Sequence, residues 1–239
     1  MQPPILLECE LPNPFASDST AKLNMDKPPT FKFARPVVVG LVGGVASGKS
    51  YVGQLFETHG ALRIDADQIG HEVLQSAEVR KRLTDLWGQN VLNASGEIDR
   101  AQVGKLVFGD SAEATVQRRQ LEAIVHPRIR SLAQERIAAA RALPEPPLAI
   151  VIDAPLLLEA GWEPLCDLIL FIDTPLDERL ARATARGWTV DHFADREASQ
   201  LPLDEKRKRA THILDNSQLA NVAQQVIHLW QQLQRCTNP

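Results

Sequence analysis

From Pro36 onward, short apolar runs rich in β-branched residues alternate with longer stretches in which apolar residues recur every three or four positions. The runs Val37–Val42, Ala61–Ile64, Leu148–Asp153 and Leu168–Asp173 predict strands, and Thr211–Leu214 predicts a weaker fifth. The longer periodic stretches predict helices at Lys49–Thr58, Gly70–Trp87, Ser111–Ala142, Leu176–Arg186, Val190–Gln200 and Gln218–Gln234. Strands that are apolar throughout are buried on both faces, which implies a parallel sheet covered by helices on each side. The pattern therefore predicts one doubly wound α/β domain over residues 36–239. Its helix-rich stretch, about 70–145, forms an insertion between two strands. Pro127 is expected to kink the Ser111–Ala142 helix or to start a new one. No internal repeat is visible.

Composition narrows the class. A chain of 239 residues with 44% hydrophobic content can bury a core without metal or disulfide staples. The net charge of −4, with both signs scattered, gives no nucleic-acid or membrane-surface signal. No apolar run approaches the length of a membrane span. The three cysteines, Cys9, Cys166 and Cys236, are far apart and fit a reducing cytoplasm. Residues 1–35 differ from the rest, being proline-rich, aperiodic and without the ordered parts of a signal peptide, and predict a disordered extension. Nothing in the sequence speaks to oligomeric state.

Chemistry enters at "GLVGGVASGKSY", Gly40 to Tyr51, which links the first strand to the first helix. Gly43, Gly48, Lys49 and Ser50 fit G-x-x-x-x-G-K-[ST], with strand and helix on the sides the motif requires. Such a loop turns backbone N–H groups toward one concave point at a helix N-terminus, so Gly43, Gly44, Ala46, Ser47, Gly48, Lys49, Ser50 and Tyr51 are the candidate nucleotide-binding residues. Lys49 can reach the outer phosphates, and Ser50 is placed to hold Mg²⁺. The bound object is expected to be a nucleoside triphosphate.

The loop alone does not separate GTPases, motor ATPases and small-molecule kinases. No N-K-x-D guanine-reading segment is present. The second strand instead ends in "RIDADQIGHEVL", where Asp65 or Asp67 can take the proton of an acceptor hydroxyl or bind Mg²⁺ through water. A plainer reading makes Asp67 a helix cap.

Together, "GLVGGVASGKS", "IDAD", "VHPRI" (Val125–Ile129), "IDAPLLLE" (Ile152–Glu159) and "ASQLPLDEKRKRATHILDNS" (Ala198–Ser217) resemble the dephospho-coenzyme A kinase family in order and spacing, from Pro36 to the last helix. The resemblance implies the P-loop kinase type of fold, with a helical acceptor-binding insertion and a helical lid at about 176–209. It also implies transfer of phosphate from ATP, with Mg²⁺, to the ribose 3′-hydroxyl of dephospho-CoA, the last step of coenzyme A synthesis. On this reading Asp67 is the acceptor-side base, with Asp65 beside it or near Mg²⁺. Arg182 and Arg196 are lid cations over the phosphates, while Arg179 reads as part of a solvated helix face. His126 either touches the acceptor or makes a structural hydrogen bond, and Asp153, at the end of the third strand, reaches Mg²⁺ through water. Cys166, Trp87, Trp162 and Trp230 are expected to be packing residues. Two features depart from the family: Tyr51 stands where Thr is usual, and the N-terminal extension is long. A kinase for another small hydroxylated metabolite shares most of these parts, and a non-catalytic ATP-binding switch shares the loop.

Overall fold

The computed structural model describes residues 36–109 and 111–237, and the predicted N-terminal extension lies outside them. Five parallel strands form one sheet: β1 (Val37–Gly43), β2 (Leu62–Asp65), β3 (Ala149–Asp153), β4 (Leu168–Asp173) and β5 (His212–Asp215), in the order β2-β3-β1-β4-β5. β1 is central, with Val39 opposite Val151 on one side and Leu168 on the other. The chain leaves β1 toward β2 and β3, then returns past it to β4 and β5. A switch point of this kind opens a crevice at the carboxyl ends of the strands.

Alternation along the buried strands sorts side chains into two cores, because successive Cβ atoms point to opposite faces. Val37, Val39, Leu41, Val151, Leu170 and Ile172 face α1 (Lys49–Thr58) and α9 (Leu219–Thr237). Val38, Val42, Ile150, Ile152, Ile169 and Phe171 face the inserted helices α2 (Ala66–Gln75), α3 (Ala77–Trp87), α4 (Arg100–Val107) and α5 (Ala112–Arg141). Three more helices follow β4: α6 (Leu176–Ala185), α7 (Val190–Ala198) and α8 (Leu203–Arg209). Trp162 and Trp230 are packing residues, as expected, and Phe56 meets the edge of the Trp230 ring with centroids 6.4 Å apart. Phe56 is wholly buried. Phe56→Ala is expected to cost about 3–5 kcal/mol in urea unfolding, the usual range for a buried aromatic truncation.

Three predictions need correction. The helix foreseen at Gly70–Trp87 is two helices, because Ser76 adopts an extended conformation and its hydroxyl accepts the Val79 N–H, starting α3 afresh. α5 continues as one helix through Pro127, so no new helix starts there. The proline deprives only the Ala123 carbonyl of its donor, and Ala123, His126 and Pro127 are all exposed, so water can serve that group. α4 and α8 escaped the periodicity because they span only eight and seven residues.

Candidate active site

The turn after β1 is an open cradle of backbone donors. Gly48 has φ 94°, and a Cβ there would lie 2.8 Å from Asn216 Nδ2, so glycine is required both by conformation and by space. Ala46, at φ 57°, is the one non-glycine residue in the left-handed region among the described residues. α1 begins at Lys49 without a side-chain cap. Among the described residues, the N–H groups of Ala46, Gly48, Lys49 and Ser50 have no hydrogen-bond acceptor. Unpaired donors at a helix N-terminus form an anion site.

The far side of the cradle is fixed by its carbonyls. Ser47 is fully buried, and its carbonyl accepts from Asn216 Nδ2 at 2.6 Å, Thr174 Oγ1 at 2.8 Å and Arg182 Nη1 at 3.3 Å. In a trans peptide the N–H points opposite to the C=O. Holding the Ser47 carbonyl inward therefore turns the Gly48 N–H out into the cradle.

Lys49 Nζ folds onto the loop, donating to the carbonyls of Gly44 at 2.9 Å and Gly43 at 3.2 Å. Burial, reinforced by the nearby charge of Lys206, pushes its pKa down to about 8, against the opposing pull of Asp153, Glu159 and Glu197. Lys206 on α8 is 2% exposed and donates to Glu159 at 2.9 Å and Gln200 at 2.7 Å. Glu159 also accepts the Leu201 N–H at 2.9 Å. These hydrogen bonds outweigh burial and hold the Glu159 pKa below its ordinary value. No spacing rule singles out Lys206, Gln200 or Glu159 in the sequence.

Two carboxylates stand side by side where β2 and β3 end, Asp65 opposite Asp153 in the strand register. Asp65 caps α2, its Oδ1 accepting the N–H groups of Asp67 and Gln68 at 3.0 and 3.1 Å. The cap is therefore Asp65, and the Asp67 carboxyl is released from that role. Partial burial, then repulsion from Asp65 and Asp153, raises the pKa of Asp67, with His71 and Arg100 opposing. Asp153 is 5% exposed and bonds Arg63 Nη2 at 2.7 Å. The same nitrogen lies 3.1 Å from Asp65. Burial disfavours the Arg63 charge, but the contacts with Asp153, Asp65 and Glu57 outweigh it and raise its pKa. Arg63 is a site residue that the strand-like "LRID" conceals.

The helices after β4 reassign the arginines. Arg179, expected on a solvated face, is 4% exposed, and its Nη1 pairs with both carboxylate oxygens of Glu197 at 2.7 and 2.8 Å. The loop side of α6 is apolar through Leu180 and Ala183, and Arg179 lies beside them on the inner side. Arg182, expected over the phosphates, reaches the loop, where its Nη1 donates to the Ser47 carbonyl. Arg196 does not: it is exposed, stacks on Trp188 at 4.4 Å, and its Nε bonds His192 Nε2 at 3.0 Å. His126 is exposed, and its side chain makes no hydrogen bond among the described residues. Tyr51 lies 39% exposed, one residue beyond the donors of the cradle.

A phosphate loop after the central strand of a parallel sheet, with carboxylates on the neighbouring strand ends and arginine-bearing helices beside it, defines a P-loop kinase. The sequence profile described as "Dephospho-CoA kinase" matches residues 37–221. The chain belongs to the dephospho-CoA kinase family. It is 38% identical over 184 residues to the dephospho-CoA kinase of Bacillus licheniformis, covering 76% of this chain and 88% of that one. With the Thermobifida fusca dephospho-CoA kinase it shares 35% over 200 residues, covering 82% and 96%. The solved dephospho-CoA kinase from Campylobacter jejuni superposes with TM-score 0.63 at 26% identity over 83% of this chain and 97% of that one. A crystal structure from Thermus thermophilus superposes with TM-score 0.69 at 31% identity and the same coverage.

Proposed function

We propose that this chain moves the γ-phosphoryl group of ATP to the ribose 3′-hydroxyl of dephospho-CoA, giving coenzyme A and ADP in the cytoplasm, and that Asp67 is the group that accepts the hydroxyl proton. The observation that carries this reading is the placement of Asp67 in the first turn of α2, free of capping duty and close enough to Asp65 and Asp153 for their charges to raise its pKa, at the same end of the sheet as the cradle of unpaired N–H donors. Phosphoryl transfer needs positioning and charge neutralisation more than covalent chemistry, and a base is more effective as its pKa approaches the working pH. Lys49 swings from the carbonyls of its own loop to the outer phosphates. Arg182 is the helix-borne cation we assign to the phosphates, in preference to Arg196, whose guanidinium lies on Trp188.

The donor set at the loop fits Mg²⁺: a hydroxyl from Ser50 and the carboxylate of Asp153, all hard oxygens, few enough to leave the ion its waters. Ser50 and Asp153 would hold the ion, which would supply positive charge to offset that of the phosphates. Asp153 is kept in place meanwhile by Arg63. The inserted helices α2 to α5 supply the acceptor-binding wall, and α6 to α8 the lid.

The test is ADP release by the purified full chain with ATP and Mg²⁺, offered dephospho-CoA or a panel of nucleosides and sugars. Release with dephospho-CoA at a kcat/KM at least about tenfold above every other acceptor is expected. A better acceptor within the panel would replace the substrate, and ATP turnover indifferent to any acceptor would refute transfer.

A further inference from the structure

Buried Arg179 and half-buried Glu197 form an ion pair whose third partner is the phosphate loop itself. Glu197 Oε2 accepts the Val45 N–H at 3.1 Å while Arg179 holds both carboxylate oxygens. The guanidinium lies so close under the loop that a Cβ on Gly44 would fall 2.5 Å from Nη1. It also sits 5.5 Å over the Phe193 ring, and its Nε is buried without a hydrogen-bond partner. A pair with its arginine buried and its glutamate 28% exposed is weak evidence for stability, since desolvation of the arginine offsets much of the attraction. Its position argues for another use.

The surroundings say which. Apolar side chains of α6, α7 and the turn between them pack in a small cluster, with Leu180, Ala183, Trp188 and Phe193 closing on Val45 and Ala46 of the loop. The loop is thus held at two places by different bodies. The Ser47 carbonyl is clamped chiefly by Asn216 and Thr174, which follow strands of the sheet, with Arg182 of α6 as a longer third contact, whereas the Val45 N–H is clamped by the helix pair alone. Any motion of α6 and α7 away from the sheet takes away the acceptor of Val45. The charges also matter: a lone carboxylate on the loop would repel a triphosphate, and Arg179 cancels it. Glu197 lies near enough to Lys49 to be felt by its ammonium.

We propose that Arg179 and Glu197 are positioning residues that latch α6 and α7 to Val45 and so set the geometry, and the ATP affinity, of the phosphate loop. The inference rests on reading that loop as the ATP site.

Two charge-neutral double variants isolate the latch. Arg179→Met with Glu197→Gln keeps an oxygen that can accept from Val45. Arg179→Met with Glu197→Leu does not. Calorimetry with a non-hydrolysable ATP analogue is expected to find the first within about threefold of wild-type affinity and the second roughly tenfold weaker, the order of one lost hydrogen bond to a fixed donor. The Leu double should also melt somewhat lower, because its buried Val45 N–H is left without an acceptor. Single Arg179→Met, leaving the carboxylate uncompensated, should bind more weakly than the Gln double variant. In turnover assays the loss should appear in the KM for ATP, with kcat at saturating ATP and the KM for dephospho-CoA within about threefold. Equal ATP affinity in the Gln and Leu doubles, or a difference only in thermal midpoint, would overturn the latch in favour of a purely structural pair. Wild-type protein that does not bind the analogue would overturn the reading of the loop, and the latch with it. Wild-type binding with unchanged variants overturns the latch alone.

Discussion

Asp67→Asn is expected to lower turnover by roughly 10²–10⁴, the range for a positioned acid or base, while ATP affinity stays near that of wild type. The substitution keeps shape and volume and removes the ability to take a proton. Its effect is interpretable because the cap of α2 belongs to Asp65, whose oxygen receives the N–H groups of Asp67 and Gln68. Losing the Asp67 charge therefore leaves the helix start intact, and the thermal midpoint should hold. Burial and the repulsion of Asp65 and Asp153 raise the pKa of Asp67, so the acid limb of kcat/KM should be shifted upward from that of an unperturbed aspartate and disappear in the variant. Full turnover combined with poor ATP binding would make Asp67 a metal or structural ligand instead, and the acceptor proton would then leave by another route.

The fold was legible because its three inner strands, β1, β3 and β4, are apolar up to their last residues and its phosphate loop obeys a spacing dictated by backbone geometry. All five strands fall within one residue of their predicted bounds at each end. The long inserted helix was equally visible, since one apolar stripe persists past Pro127. What the sequence concealed is tertiary partnership. Arg63 looks like an exposed residue on an edge strand, but the strand register brings Asp153, 90 positions away, to within 2.7 Å. Arg179 and Arg196 both suit a solvated helix, and only the packing of Phe193 and Trp188 decides that the first turns in and the second out. Glu197 is one residue beyond an expected functional arginine, so a search for cations passes over the carboxylate that meets the loop. Lys206 lies in a run of four basic residues, three of which pair at the surface while one is buried beside the phosphate loop.

Lys49→Ala is expected to reduce kcat/KM at least about a hundredfold, because a charge contact that strengthens in the transition state contributes several kcal/mol to lowering the barrier. The fold should not suffer. With a folded-state pKa of about 8 against 10.5 for the free side chain, the unfolded chain binds more protons between those values, so this group's contribution to stability increases as pH rises through that window. Below pH 8 the buried ammonium, facing Lys206, therefore burdens the ligand-free protein, and at pH 7 the variant's thermal midpoint should equal or exceed that of wild type. The same shift marks ligand binding. Phosphates arriving at Lys49 stabilise its charged form and raise its pKa, so above about pH 8 wild-type protein should take up a proton with the nucleotide and bind it more weakly as pH rises. Calorimetry with a non-hydrolysable ATP analogue at pH 8.5, in two buffers of different ionisation enthalpy, should show that uptake in wild type and its loss in Lys49→Ala. These conditions are set about half a unit above the lowered pKa, where a substantial fraction of the free lysine is neutral. Identical proton uptake in both proteins would assign the proton to another group, and wild-type kcat/KM in the variant would remove Lys49 from the phosphate site.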